Sequence, residues 1–245
     1  MVINLFCDAS INLEKKVACG GCYITAQDNI GIYDIGQRLI LQENATNNSS
    51  EILAIWIGIV EALKLRNEYP GAIFRLFSDS KISLYGLRDW MKNWIKNMDE
   101  NGTLISSSGT PVMNQQRFID IYNLIVENNL RVEFYHQRGH VFEGRVSMQK
   151  ARAQFIRANK VPPEGLGLDI AYISKCNSII DNATRKAVGM YDTYIKTGEF
   201  PEGVELEGTY PMEFSVRSNM CHQYIRCIDK TTIKSRHDFK GGYCQ

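Results

Sequence analysis

Residues 46–51 read Thr-Asn-Asn-Ser-Ser-Glu, and the hydrophobic pattern of the chain changes period at this point. Over residues 49–65, apolar side chains recur at the spacing of one helical face, and Ser49 or Ser50 is available as the N-cap. The sequence therefore predicts a helix that carries Glu51 in its first turn.

Three strand patterns precede this helix. Residues 2–7, 22–26 and 31–40 are short apolar-rich runs, and the Gly20-Gly21 pair predicts a turn between the first two. Strands joined by such short connections form an antiparallel meander.

The chain beyond the helix alternates strand and helix patterns. Residues 72–78 predict a strand, and Asp79 follows its carboxyl end, where open α/β sheets bind their ligands. The pattern further predicts helices over 81–97, 114–128 and 177–190, a strand over 131–136 and an amphipathic segment over 147–159. Asp181 falls in the first turns of the last helix, and the whole order indicates an α/β protein.

The composition fits a soluble globular protein of one domain, or of one domain with an appendage: 245 residues, 44% hydrophobic and 22% charged. No basic leader precedes an apolar segment at the start, and the longest apolar run, residues 52–60, is too short for a bilayer. We therefore expect a cytoplasmic protein without membrane contact.

Seven cysteines without framework spacing favour reduced thiols. A net charge of +1 means that a nucleic-acid partner would need a local basic patch.

Four acidic residues, Asp8, Glu51, Asp79 and Asp181, each lie beside an apolar run. Carboxylates so far apart in the chain converge only if the fold gathers them, and gathered carboxylates repel one another unless a cation is bound. Hard oxygen ligands suit Mg²⁺ or Mn²⁺. The acids therefore indicate a divalent metal site.

The ordered set of strands, helices and acids resembles the ribonuclease H family, closest to the cellular type 1 ribonuclease H, over about residues 2–190. The resemblance implies an α/β, ribonuclease H-like fold with a mixed five-stranded sheet, its first three strands antiparallel, flanked by helices. The motifs that carry it are Phe6-Cys7-Asp8-Ala9-Ser10, Thr46-Asn47-Asn48-Ser49-Ser50-Glu51, Phe77-Ser78-Asp79-Ser80, Trp90 with Trp94, Arg138-Gly139-His140, and Ile180-Asp181-Asn182-Ala183 with Arg185-Lys186-Ala187.

The family's activity is then the expected one: hydrolysis of the RNA strand of RNA–DNA hybrids by two Mg²⁺ ions, with Mn²⁺ as a substitute, leaving 5′-phosphate and 3′-hydroxyl ends. By the resemblance Asp8 bridges the ions, Glu51 and Asp79 bind one of them, and Asp181 binds the other. Asp169 competes with Asp181 for the fourth position. His140 would assist proton movement or product release, or it is merely an exposed imidazole in a turn.

Substrate contacts are expected at the start of the predicted helix. By the resemblance Asn47 and Asn48 read the 2′-hydroxyl in the minor groove, and Thr46 holds a phosphate of the DNA strand. The alternative is that these side chains only cap the helix. Ser80, beside Asp79, belongs to the same expected set.

The helix after Asp79 carries cations interleaved with aromatic side chains. Contact with the backbone of the hybrid is expected for Lys81, Arg88 and Lys92, with Lys96 further along. Trp90 and Trp94 are four residues apart, so packing along one helical face is an equal alternative to substrate contact.

Three departures from the family pattern stand out. Residues 11–16 replace the usual glycine-rich turn, which leaves Asn12 as a substitute contact. An insert, residues 141–176, carries five cations between Glu143 and Glu164, and these either clamp the substrate backbone or form a solvated helix face. The cations are Arg145, Lys150, Arg152, Arg157 and Lys160. Residues 191–245 have no recognisable counterpart and are expected to form a β-rich extension to a catalytic domain of residues 1–190.

Zinc is a minor alternative at two places. Cys19 and Cys22 have knuckle spacing, and the extension contains Cys221, Cys227, His237 and Cys244 without such spacing.

Two other functions remain open. A DNA nuclease or strand-transfer enzyme of the same fold would cleave DNA instead, and a non-catalytic nucleic-acid-binding module would cleave nothing. The oligomeric state is unknown, with a monomer as the default.

Overall fold

The computed structural model describes residues 1–207 of the protein. Within this range six strands form one sheet in the order β5-β4-β1-β2-β3-β6. Their bounds are β1 Val2–Asn12, β2 Val17–Gln27, β3 Ile32–Gln42, β4 Ile73–Ser78, β5 Val132–His136 and β6 Val204–Leu206.

The sheet is mixed, as the sequence predicted. Strands β1, β2 and β3 are antiparallel neighbours, whereas β4 pairs with β1 and β5 pairs with β4 in parallel. The predicted count of five strands was one too few, because β6 pairs in parallel with Leu39–Leu41 of β3. Strand β6 has only three residues, too few to show the alternating pattern of a strand. It lies within residues 191–245, which the sequence assigned to the extension.

The helices of the described range are α1 Asn47–Glu68, α2 Lys81–Tyr85, α3 Met91–Lys96, α4 Gln115–Glu127, α5 Met148–Asn159, α6 Ile170–Gly189 and α7 Tyr191–Thr197. A π-helical turn, Gly86–Trp90, separates α2 from α3, so the single helix predicted over 81–97 is interrupted. A 3₁₀ turn, Pro163–Leu166, precedes α6.

Helix α1 starts two residues earlier than predicted, because Thr46 is its N-cap rather than Ser49 or Ser50. Thr46 Oγ1 accepts from the Ser49 backbone N–H at 3.1 Å, and Ser49 Oγ accepts from the Thr46 N–H at 2.9 Å. These reciprocal bonds are a capping box with serine at the third helical position. Glu51 consequently lies in the second turn.

The predicted turn at Gly20-Gly21 is wrong, since both glycines lie inside β2. A Cβ atom on Gly20 would come within 2.9 Å of the Ala54 backbone nitrogen, so Gly20 allows α1 to pack closely on the sheet. The hairpin turn lies instead at residues 13–16, where Asn12 Oδ1 accepts from the Lys15 N–H at 3.0 Å.

Helix α6 begins at Ile170, seven residues before the predicted start. Asp169 is its N-cap and accepts from the Tyr172 N–H at 2.6 Å. Ile173 and Cys176 are buried along the added turns. Asp181 therefore lies in the middle of a long helix and not in its first turns.

The two faces of the sheet carry separate cores. Leu5 and Cys7 of β1 face α1 and α4, whereas Phe6 faces α5 and α6. Phe6 stacks on Phe77 with ring centroids 4.8 Å apart, and Phe155 of α5 is buried beside them. The insert thus supplies part of a core.

The division into residues 1–190 and an extension stays a prediction. Residues 204–206 belong to the sheet, and the part from 208 onward, including Cys221, Cys227, His237 and Cys244, lies outside the described residues. Cys19 and Cys22 pack in cores on opposite faces of β2, so their thiols do not converge on a metal. Among residues 1–207, no helix has the length and apolar character needed to cross a bilayer.

Candidate active site

Three carboxylates from distant parts of the chain meet at one end of the sheet. Asp8 lies in β1, Asp79 directly follows β4, and Glu51 projects from α1. Parallel pairing sets Cys7 beside Ser78, so the acids that follow them are neighbours. One oxygen of each carboxylate lies within 4.8 Å of the other two.

Asp8 is held in place by hydrogen bonds to both of its oxygens. The Ala9 N–H donates to Oδ1 at 2.8 Å, and Asn177 Nδ2 donates to Oδ2 at 2.8 Å. The amide oxygen of Asn177 accepts from Gln137 Nε2 at 2.5 Å. A buried relay therefore connects the strand end at Gln137, helix α6 and Asp8.

The electrostatics of the cluster favour a bound cation. Burial raises the pKa of Asp8 well above its usual range, and the nearby carboxylates of Asp79, Glu51 and Asp181 raise it further. Burial, with Asp79 and Asp181, raises the pKa of Glu51 to about 8, and burial also raises the pKa of Asp79. A cation among these groups would offset both the desolvation and the repulsion.

The donor set also fits a divalent metal. Glu51 Oε2 is buried and has no hydrogen-bond partner among residues 1–207, which is costly for a carboxylate oxygen unless a ligand reaches it. The donors that Asp8, Glu51 and Asp79 bring together are carboxylate oxygens, the type that Mg²⁺ and Mn²⁺ prefer.

Asp181 lies at the edge of this cluster. Its Oδ2 accepts from Arg185 Nη2 one helical turn later and is 3.7 Å from His140 Nδ1. His140, Glu143 and Asp181 form a second group whose ligand atoms lie within 4.8 Å of one another. Asp169, by contrast, caps α6 and is not part of either group.

The Gly139-His140 segment crosses directly over Asp79. A Cβ atom on Gly139 would lie 1.9 Å from Asp79 Oδ2, so a larger residue at this position would displace the Asp79 carboxylate. His140 has a left-handed backbone, φ 58°, and its Nδ1 is 3.3 Å from Glu143 Oε1. His140 thereby faces Asp181 at the rim of the site.

Several of the expected substrate contacts line the cleft around the acids. The lining includes Asn47 and Asn48 of α1, Ser80 and Lys81 after β4, and Arg138 before Gly139. Thr46 is exposed beside them and serves as the helix cap. Asn12 is the last residue of β1, where its side chain accepts from the Lys15 backbone N–H of the hairpin turn, and it does not line this cleft.

The basic and aromatic side chains after Asp79 differ in burial and in the partners that they contact. Trp94 is buried against Phe118, whereas Trp90 is 39% exposed. Arg88 lies over the Tyr85 ring and bonds to Asp89. Lys92 stays a predicted contact outside the cleft lining.

His136, the last residue of β5, packs inside the protein. It is buried beside Tyr85, and burial lowers its pKa to about 4, so the imidazole is neutral. It is also one of the residues that line the cleft, together with Lys81 and Arg138.

Sequence reasoning missed Asn177 and Gln137. Asn177 lies one helical turn before Asp181, so its position four residues from an expected ligand was the available signal. Gln137 directly precedes the Arg138-Gly139-His140 motif.

Replacing Asn177 by alanine should weaken both stability and the site. The change removes the amide that bonds to Gln137 Nε2 and Asp8 Oδ2, so we expect the free energy of unfolding in chelator to fall by about 1–3 kcal/mol. Urea denaturation measures this loss. Asn182→Ala on the exposed side of the same helix is the matched control and should change stability by less than about 0.5 kcal/mol. Equal losses in both variants would contradict the relay.

A mixed sheet of this order, with clustered carboxylates at the shared end of β1 and β4, defines an α/β protein of the ribonuclease H-like class. Residues 1–151 match the family model described as RNase H. Because that match covers more than half of the sequence, the chain belongs to the ribonuclease H family.

The individual proteins that this chain resembles match only part of its sequence. A ribonuclease H of Thermosynechococcus vestitus is 31% identical over 96 residues, 39% of this chain and 53% of the relative, so the chain spans about half the length of that curated protein. The prototype foamy virus protease-reverse transcriptase is similar at a TM-score of 0.44 and 18% identity, over 66% of this chain and 20% of that one. LC11-RNase H1, solved with an RNA/DNA hybrid, gives a TM-score of 0.40 and 13% identity, over 66% of this chain and 94% of the other.

Proposed function

We propose that the protein is an endonuclease that hydrolyses the RNA strand of RNA–DNA hybrids with divalent metal ions. The observation that carries the proposal is the convergence of Asp8, Glu51 and Asp79 within 4.8 Å, beside Asp181 and the Gly139-His140 segment, in a chain of the ribonuclease H family. A protein that only binds nucleic acid gains nothing from clustered negative charge facing phosphate.

Asp8, Glu51, Asp79 and Asp181 are the residues that would hold the metal, proposed as two Mg²⁺ ions that Mn²⁺ can replace. When bound, such ions activate water and offset the negative charge that develops on the attacking and leaving oxygens of a phosphodiester. Asp8 is central among the four and is fixed through both oxygens by Ala9 and Asn177, which suits the role of a shared ligand.

His140 is the proposed group for moving a proton near the leaving oxygen. Its Nδ1 faces Glu143 and Asp181, which leaves Nε2 as the ring nitrogen for exchange with substrate or solvent. Glu143 and Arg185 hold each other beside Asp181, so the ring has a defined position.

Asn47 and Asn48 are the proposed readers of the RNA strand. Their exposed amides line the cleft on the same helix as Glu51, and an amide both donates to and accepts from a 2′-hydroxyl. Lys81 and Arg138 line the same cleft and supply positive charge for phosphates. The cleft thus combines two amides proposed to contact the ribose with two cations proposed to contact phosphates.

A cleavage gel tests the proposal directly. The full chain is incubated with an end-labelled RNA in a hybrid, with the same RNA alone, and with the matched DNA duplex, each with Mg²⁺, Mn²⁺ or chelator. Internal cuts in the RNA of the hybrid, dependent on metal, are expected. Cleavage of the DNA duplex with the hybrid left intact would make the protein a DNA nuclease, and no metal-dependent product from any substrate would make it a binding module.

Paired variants distinguish the two candidates for the fourth acid. Asp181→Asn should lower hybrid cleavage at least roughly tenfold, because a charged ligand is lost near the cluster. Asp169→Asn should leave it unchanged, because asparagine caps a helix as well as aspartate does. Initial rates at saturating hybrid measure both. The reverse ranking of the two rates would assign the fourth position to Asp169.

A further inference from the structure

A second groove lies beside the catalytic cleft, between the insert helix α5 and the segment that follows Asp79. Its basic lining consists of Lys81, Arg88, Arg138, Arg157 and Lys160, and the acid in the lining, Asp89, is already bonded by Arg88. The two concavities share Lys81, His136 and Arg138. The cleft and the groove are therefore adjacent, with Lys81 and Arg138 between the acid cluster and the insert.

The cations of the insert divide according to whether they are paired. Arg152 bonds to Glu164 at 2.9 Å, and Arg145 bonds to Glu143 at 3.0 Å, so the flanking acids neutralise both. Arg157 and Lys160 lie in the groove and form no ion pair within the described residues. Unpaired cations that share a concave surface attract phosphate, whereas paired ones do so weakly.

The walls of the groove are fixed to the catalytic sheet. The Asn159 side chain at the end of α5 bonds to the His136 backbone through both amide atoms, each at 2.8 Å. It also accepts from Arg88 Nη1 at 3.3 Å. Strand β5 is an edge strand, so these bonds satisfy its free edge at His136 and join the insert to the cleft.

We infer that this groove, defined by Lys81, Arg88, Arg138, Arg157 and Lys160, binds the sugar-phosphate backbone of the strand that lies across the carboxylates. The inference rests on the proposed function, in which that strand is the RNA of the hybrid. The insert extends the substrate-binding surface beyond the cleft, and it contributes affinity for longer hybrids without reading sequence.

Binding measurements on the full chain test the groove separately from catalysis. Asp79→Asn serves as the background that does not cleave, and Arg157→Gln and Lys160→Gln are added together. Fluorescence anisotropy then gives Kd for a hybrid that only fills the cleft and for a longer one, over a range of salt concentrations. The matched control is Arg152→Gln, which removes a paired cation from the same helix.

The double change should weaken binding of the longer hybrid roughly tenfold and reduce the slope of log Kd against log salt by about 2, one for each phosphate that the variant no longer neutralises. Binding of the short hybrid and the effect of Arg152→Gln should stay within about twofold. Uncharged methylphosphonate linkages in a 2′-O-methyl RNA strand should abolish the difference between parent and variant, whereas the same linkages in the DNA strand should preserve it.

An unchanged Kd and salt slope for the longer hybrid would overturn the inference, and so would an equal effect of Arg152→Gln. Disappearance of the difference with a modified DNA strand would overturn the assignment to the RNA strand. These outcomes are separate from those for the activity: if the parent chain cleaves hybrid, the proposed function stands even when the groove fails. If the parent chain cleaves nothing, anisotropy still reports whether the groove binds phosphate.

Discussion

Asp79→Asn is expected to lower the rate of hybrid cleavage by at least about 10³-fold while leaving the fold intact. The substitution keeps the shape of the side chain but removes one of three carboxylates that share a space of 4.8 Å. Stabilisation by a metal ion is worth several kcal/mol in such reactions, and each 1.36 kcal/mol is about a factor of ten in rate. Single-turnover cleavage of a labelled hybrid, with enzyme in excess, measures the chemical step.

A second measurement separates loss of the site from loss of the fold. Burial raises the pKa of Asp79, so its charge is unfavourable in the folded protein without metal, and the neutral asparagine should unfold at the same or a higher temperature in chelator. Added Mg²⁺ should raise the melting temperature of the parent chain and have less effect on the variant. Normal turnover by Asp79→Asn would refute the assignment of this carboxylate to the metal site.

The regular part of the fold was predictable because its signals are local. The change of period after residue 48 identifies α1, and the apolar runs identify β1, β4 and β5. The parallel pairing of β1 with β4 then explains why acids about seventy positions apart are neighbours, although sequence spacing alone does not reveal it. The proximity of Asp8 and Asp79 follows from that register, and Glu51 joins them from α1, whereas their chemical roles stay predictions.

The features that sequence reasoning missed depend on long-range contacts. Gly20-Gly21 has the composition of a turn, yet both glycines lie within β2, where Gly20 packs closely against α1 and Gly21 packs closely against Ile180 and Thr184 of α6. The first turns of α6 follow a glycine-rich segment, so the sequence shows no clear helical period there. In the structure, Ile173 and Cys176 pack in the same core as Phe6 and Phe77. Tertiary packing overrides local propensity at both places.

The insert combines a structural role with an exposed charged surface. Ala151 and Phe155 of α5 are buried on the sheet, whereas Arg157 and Lys160 line the groove. The sequence left open whether the five cations clamp a substrate or cover a solvated face. Two of these cations, Arg145 and Arg152, form ion pairs with Glu143 and Glu164. Two others, Arg157 and Lys160, line the groove next to the cleft.

Gly139→Ala should be nearly as damaging as the loss of a ligand, although it removes no charge. The backbone of Gly139 does not have a positive φ, so alanine meets no conformational strain there. The added Cβ would instead lie 1.9 Å from Asp79 Oδ2, far inside van der Waals contact, and the carboxylate must move. A displacement of about 1 Å in a catalytic group costs on the order of 10²-fold in rate. Cleavage of the labelled hybrid by the variant measures this loss.

Stability shows whether the clash with Asp79 is the cause. Overpacking of this kind costs about 1–3 kcal/mol, so Gly139→Ala should lower the free energy of unfolding in chelator by that amount. Asp79→Ala removes the atoms that the new methyl group would meet, and Gly139→Ala made in that background should therefore cost little. Urea denaturation of the four proteins of this double-mutant cycle gives a coupling free energy of similar size. Full additivity of the two changes would mean that the Gly139-His140 segment does not press on Asp79, and its proposed position over the metal site would then be wrong.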